Sequence, residues 1–218
     1  IKMLLSQKQQ LLLDVSHELR SPLARMRLLI ELMPEHENKN SMIDEIIFLE
    51  GMISNLLFSD KLSLPYSNLE YSRFTISNLL ITVIDLINED LKKFDVKNDV
   101  PNLKIKADKT KLIIALRNLI DNAIKYGDVS EAIKIFISKR NGICIINIIN
   151  KGHKLNKEEM NNLFTPFYRS KRVKNNTPGF GLGLTICKKI IEAHFGKLIL
   201  STTIDEIQFS VEIPIRKK

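Results

Sequence analysis

Residues 108–126, DKTKLIIALRNLIDNAIKY, separate into two faces when wound at about 3.6 residues per turn. Leu112, Leu116, Leu119, Ile120 and Ala123 fall on one side. Lys111, Asn118, Asn122 and Lys125 fall within a narrow arc on the other. Asp108 offers a side-chain oxygen to cap free N–H groups, so a helix is predicted from Asp108 to Tyr126. A solvated helix face is ordinarily mixed and charged. Here two amides flank a lysine with Tyr126 beside it, a set suited to ligating Mg²⁺ through amide oxygens and neutralising phosphate through an ammonium.

Outward from this helix the pattern alternates between strand and helix. Two β-rich runs, 132–139 and 143–149, are separated by Asn141-Gly142, a strong hairpin signal. A short helix is predicted at 157–163, a longer one at 184–194 after a glycine-rich stretch, and closing strands at 198–203 and 207–213. Upstream, LEYSRF reads as strand-like, 77–93 as helix, and the regions near Val96 and 103–106 as short extended pieces. Strands in runs with helices on one side predict a two-layer α/β sandwich.

The first third has a different period. Leu12, Ser16, Leu19, Leu23, Met26, Ile30 and Met33 alternate spacings of four and three, and a second seam runs through Met42, Ile46, Leu49, Ile53 and Leu56 after the break at Pro34 and EHENKN. This predicts a helical hairpin whose apolar faces two helices cannot fully cover, and hence a homodimer that pairs two hairpins into a four-helix bundle. The pattern lapses at SLPYS, so the fold class expected is multidomain, α followed by α+β, with domains at 1–64 and 65–218.

Composition excludes some alternatives. The 218 residues are 44% hydrophobic, enough for two modest cores, and contain no apolar run near the roughly 18 residues that cross a bilayer. The chain begins at Ile1, so it reads as the cytoplasmic portion of a longer bacterial inner-membrane protein whose attachment lies in another segment. Cys144 and Cys187 sit in apolar runs without metal-ligand spacing and read as core residues. The net charge of +8 is dispersed, with no nucleic-acid-binding signature, so no nucleic-acid partner is expected.

On the first helix, Ser16-His17-Glu18-Leu19-Arg20-Ser21-Pro22-Leu23 places His17 directly after a seam position, turned about 100° from the hairpin core. Ser21 and Ala24 follow at one-turn spacings and make a strip that a second domain can approach. Pro22 has no N–H for the Glu18 carbonyl and should loosen the helix there. Glu18 can hold the proton of one ring nitrogen and leave the other as a nucleophile. A lone exposed histidine would ordinarily mean nothing. This octet, however, resembles the phosphoacceptor box of sensor histidine kinases, with Ser21 where the family commonly has Thr or Asn.

Three further boxes resemble the same family, which shares the gyrase-like (GHKL, Bergerat) ATP-binding domain. Arg117 to Tyr126 resembles the N-box; the resemblance implies that Asn122 binds Mg²⁺, Asn118 and Lys125 serve the phosphates, and Tyr126 lies against adenine. Leu163-Phe164-Thr165-Pro166-Phe167-Tyr168-Arg169 resembles the phenylalanine box, followed by a polar stretch, 170–178, that resembles the ATP lid, with Arg169 and Lys171 as candidate phosphate ligands. Gly179-Phe180-Gly181-Leu182-Gly183-Leu184 resembles the second glycine box, whose backbone N–H groups at a helix start suit phosphate. The first glycine box departs from the family's Asp-x-Gly-x-Gly. Here Asn150-Lys151-Gly152-His153-Lys154 replaces the acid by an amide and the second glycine by Lys154. Gly196 of His194-Phe195-Gly196 is expected to cap the last helix, with Phe195 packed.

The resemblance implies ATP-dependent autophosphorylation of His17 with Mg²⁺, then transfer to the aspartate of a response-regulator receiver domain, with phosphatase activity depending on Ser21. Two other readings stand beside it. The altered first glycine box suits a dimeric scaffold that binds nucleotide and a regulator without catalysis, and the sandwich alone suits a gyrase-like ATPase that drives a clamp.

Overall fold

A computed structural model describes residues 2–36, 38–61, 69–152, 154–170 and 181–215, with backbone only at 2–13, 17 and 55–61. The chain divides into two compact units, Ile1–Leu64 and Pro65–Lys218.

The first unit is a helical hairpin. Helix α1 runs over Lys2–Leu32 and α2 over Lys39–Lys61, packed against each other. α1 continues through Pro22, so the missing N–H costs one hydrogen bond without ending the helix. Lys39 closes the connection: its ammonium donates to the carbonyls of Glu31 at 3.2 Å and Met33 at 2.9 Å, oxygens that the end of α1 leaves without intrahelical partners. Ser16, Leu23 and Ile46 are buried between the helices, while Leu19, Met26, Met33 and Met42 of the two seams remain exposed.

The second unit has a five-stranded sheet in the order β2-β4-β5-β7-β6 and a separate antiparallel pair, β1 with β3. The strands are β1 (Ser72–Thr75), β2 (Phe94–Asn98), β3 (Lys104–Ala107), β4 (Ile133–Arg140), β5 (Ile143–Lys151), β6 (Lys197–Thr202) and β7 (Glu206–Pro214). Among the described residues only β2 and β4 pair in parallel, and the connection between them carries β3 and the helix α4 (Lys109–Tyr126). Helices α3 (Ile76–Ile87), α4 and α6 (Gly183–Ala193) form the second layer; the short α5 (Lys157–Asn162) lies in the loop region between β5 and α6. Alternation puts Cys144, Ile146 and Ile148 of β5 under α4, matched by its buried Leu112, Leu116 and Leu119.

Local chemistry explains the element ends. Asn141 and Gly142 both take positive φ, 50° and 75°, as a two-residue hairpin with the right twist requires. The helix expected over 77–93 is shorter. It starts at Ile76, capped by Thr75 Oγ1 accepting the Asn78 N–H at 3.2 Å, and stops at Ile87 because Asn88 turns left-handed with φ 55°. Asp90 then caps a separate 3-10 turn, Leu91–Lys93. Among the described residues no helix is long and apolar enough to cross a membrane.

Candidate functional site

The α4 helix presents the polar arc that its sequence implies. Asn118 and Asn122 are half-buried, Lys125 and Tyr126 are exposed at the C-terminal end, and Leu119, Ile120 and Ala123 face the core. Lys111, on the same arc, is committed elsewhere: its ammonium donates to Asp108 Oδ2 at 2.7 Å. Asp108 caps the helix by accepting the Lys111 N–H at 3.0 Å and also accepts the Glu70 N–H at 3.0 Å. Burial pushes the Asp108 carboxyl up, but the bonds from Lys111 and Glu70 outweigh it and hold the group below its ordinary range.

The second glycine box meets this arc. Gly183, the first residue of α6, lies so close to Asn118 that a Cβ there would sit 3.3 Å from Asn118 Oδ1. Leu182 precedes it without any side-chain oxygen to cap the helix, and the first backbone bond back into α6 is from Ile186 N–H to the Leu182 carbonyl. The opening N–H groups of α6, at Gly183 and Leu184, are therefore left to other acceptors beside a carboxamide of α4. Gly181 turns the chain into position with φ 68°, and a Cβ there would lie 2.6 Å from the Tyr168 carbonyl oxygen.

That close approach binds the phenylalanine box to the glycine turn. Phe167 N–H donates to the Gly181 carbonyl at 3.0 Å, with Phe167 itself at φ 63° and its ring half in solvent. Thr185 Oγ1 donates to the Phe164 carbonyl at 3.0 Å, and Lys188 Nζ stands 5.6 Å from the Phe164 ring centroid. Arg169 is half-buried. Lys171, Gly179 and His153 lie outside the described residues.

The first glycine box closes the opposite end. Asn150, at the end of β5, is buried beside Gly127 and Gly152, and Gly152 N–H donates to the Asp205 carbonyl at 3.0 Å. Tyr126, which ends α4, places its carbonyl oxygen 3.2 Å from where a Cβ on Gly152 would lie. The N-box thus borders both glycine boxes, which lie further along the chain.

On α1, His17 follows the buried Ser16, and Glu18 and Ser21 are exposed; for His17 only the backbone is described. Leu28, further along α1, is exposed, and the Leu13 side chain lies outside the described residues.

Two features differ from expectation or escaped it. Phe195 is not packed: it is 69% exposed at φ 61° and takes the left-handed position that ends α6. Gly196 completes the cap, its N–H donating to the Ile191 carbonyl at 2.9 Å, and it also allows close approach, because a Cβ there would collide with the Glu212 carbonyl oxygen of β7. His194 is buried; its Nε2 accepts the Asp108 N–H at 3.0 Å and its Nδ1 lies 2.8 Å from the Ile190 carbonyl. The donor must be Nδ1 and the acceptor Nε2, which fixes one neutral tautomer tying the end of α6 to the start of α4. No local signal in the sequence links these positions.

The fold and site together define a two-unit protein: a helical hairpin followed by an α/β sandwich whose amide-bearing helix borders glycine turns. Residues 107–217 match the family model described as histidine kinase-, DNA gyrase B- and HSP90-like ATPase, and the chain belongs to that family. Residues 7–63 match the His Kinase A (phospho-acceptor) domain. Among relatives, sensor protein DltS of Streptococcus agalactiae is 28% identical over 221 residues, covering 97% of this chain and 55% of that protein. The chain spans about half the length of the curated relatives it matches. Among solved structures, histidine kinase ThkA in complex with the response regulator TrrA is 26% identical with a TM-score of 0.66, covering 99% of this chain and 64% of that one. Full-length ShkA in complex with AMPPNP shares the fold at a TM-score of 0.78 and 21% identity, covering 96% of this chain and 46% of that one.

Proposed function

We propose that this chain is the kinase portion of a two-component sensor: unit 65–218 binds ATP, His17 on unit 1–64 takes the γ-phosphoryl group, and a response-regulator aspartate receives it. The observation that carries this reading is the meeting of Asn118 with Gly183 at the uncapped start of α6, in a chain whose first helix bears the His17 octet. The solved complex of ThkA with a response regulator supports the choice of partner.

In this reading Oδ1 of Asn118 and the ammonium of Lys125 orient the phosphates, and the N–H groups of Gly183 and Leu184 neutralise their charge. Asn122 would hold a Mg²⁺ ion, which would supply charge neutralisation at the transferring group. The half-buried Asn122, on the same arc of α4 as Asn118, offers the hard oxygen donor that such an ion takes. Phe167, Arg169, Gly181 and Leu182 complete the nucleotide surface, and Tyr126, Asn150 and Gly152 the base end; Lys171 and Gly179 are assigned to the phosphates by the resemblance of their boxes alone. A lone pair of the His17 ring attacks phosphorus as the bond to ADP breaks, while Glu18 holds the proton of the other ring nitrogen. The exposed seam residues Leu19, Met26 and Met33 support a homodimer, because a second hairpin would cover them.

Incubation with γ-labelled ATP and Mg²⁺ tests this. Label on the unaltered chain, none on His17→Gln and at least about tenfold less on Asn122→Ala is the expected result. Nucleotide binding without any label on the unaltered chain would favour a non-catalytic scaffold, the reading motivated by Asn150 and Lys154.

A further inference from the structure

Helices α4 and α6 run antiparallel with their contact points in register. Asp108, Ala115 and Asn118 in order along α4 meet His194, Cys187 and Gly183 in reverse order along α6, in steps of seven and three residues against seven and four. At one end the Asp108 N–H donates to His194 Nε2 at 3.0 Å. In the middle the Cys187 thiol, a weak donor, points to the Ala115 carbonyl at 3.3 Å. At the other end a Cβ on Gly183 would lie 3.3 Å from Asn118 Oδ1. Apart from Thr185 and Cys187, the residues that the two helices bury are apolar, and Thr185 bonds to Phe164 rather than to α4. Apolar contact is non-directional, so it resists separation of the helices more than it resists sliding.

The His194 bond is directional, and its ring is held on two further sides. His194 is 3% exposed, its Nδ1 is committed to the Ile190 carbonyl at 2.8 Å, and Tyr71 meets the ring edge-on with centroids 6.2 Å apart. Nε2 is thereby aimed at one backbone N–H, that of the residue that caps α4. The Gly183 and Leu184 N–H groups lie at the opposite end of the eleven-residue α6, about 16 Å away by the helical rise. Packed helices transmit displacement along their axes, so a slide at His194 is the same slide at Gly183. A misplacement of about 1 Å can cost a reaction about a hundredfold.

Resting on the nucleotide reading above, we propose that His194 is a positioning residue. Its bond to the Asp108 N–H sets the axial register of α6 on α4, and so holds the N–H groups of the glycine turn level with Asn118 and Asn122 at the triphosphate. The effect is confined to the phosphate end. Tyr126, Asn150 and Gly152 of the base end lie on α4, on β5 and in the turn after it, and none is carried by α6.

The test compares two amides of different reach in the full 218-residue chain. His194→Gln keeps an acceptor about as far out as Nε2, whereas His194→Asn does not. Affinities for ATP and for adenosine are measured by titration at a temperature where melting curves show each variant folded. His194→Asn should bind ATP about tenfold or more weakly than the unaltered chain and adenosine within about twofold, and His194→Gln should return ATP binding to within about threefold. Should His194→Asn not fold, His194→Leu, which keeps apolar bulk without the acceptor, takes its place with the same expectation. Equal losses for ATP and adenosine would make His194 a packing residue and overturn the proposal. Unchanged ATP affinity without the acceptor, or His194→Gln as weak for ATP as His194→Asn, would overturn it too. Failure of the unaltered chain to bind ATP would overturn the nucleotide reading itself and this inference with it.

Discussion

Along α1 and α2 the seam residues Leu19 and Met26 are each 44% exposed and Met42 is 43% exposed, whereas Leu116, Leu119 and Ile120 of α4 are at most 1% exposed. Both stretches carry apolar residues at helical spacing. The sandwich supplies a sheet to cover its helices, and the hairpin has only two helices, each of which leaves half a seam in water. One unit completes its core within a single chain; the other leaves an apolar face exposed.

The contrast breaks most visibly in the sandwich. Leu119→Ala should cost unit 65–218 about 3 kcal/mol in urea unfolding, because its site is closed on all sides and leaves a cavity. In the hairpin, Leu19→Asp should leave the unfolding of the sandwich unchanged and weaken self-association about a hundredfold by sedimentation, an effect near 2.7 kcal/mol. His194→Ala should cost about 2 kcal/mol in the same urea assay, since it strands the buried Asp108 N–H. The smallest effect is in acid. The Asp108 carboxyl is held below 3.8, so its contribution is present above that value and lost as pH falls through the lower folded value. Asp108→Asn should flatten the acid limb of stability against pH, read by thermal melting.

Much of this was legible where the signal is local. The two faces of 108–126, the Asp108 cap, the Asn141-Gly142 turn and the glycine-rich start of α6 each follow from residues within a few positions of one another. Non-local partners were not legible. The parallel pairing of β2 with β4 joins Phe94 to Ile133 across a whole helix, and β1 finds β3 in the same way. The His194–Asp108 bond spans 86 positions. The early end of α3 was missed because the periodicity of 77–93 carries on past Asn88, whose left-handed turn no apolar pattern reveals. Within the site, the boxes were readable one by one. That Gly183 touches Asn118 is a consequence of packing.

Burial also decides which side chains stay out of the chemistry. The Cys144 thiol is pushed up to about 12 by desolvation, and Cys187 is raised further by the same cause, so neither is a thiolate nucleophile near neutral pH. His194 has both nitrogens engaged. His17, the proposed acceptor, is carried on α1 between the buried Ser16 and the exposed Glu18.

The most direct measurement is location of the phosphoryl group by peptide mass spectrometry under alkaline conditions after a single turnover with Mg²⁺ and ATP. The account predicts phosphate on His17, stable in base and lost in acid. Phosphate on a hydroxyl side chain, or undiminished incorporation in His17→Gln, would contradict it.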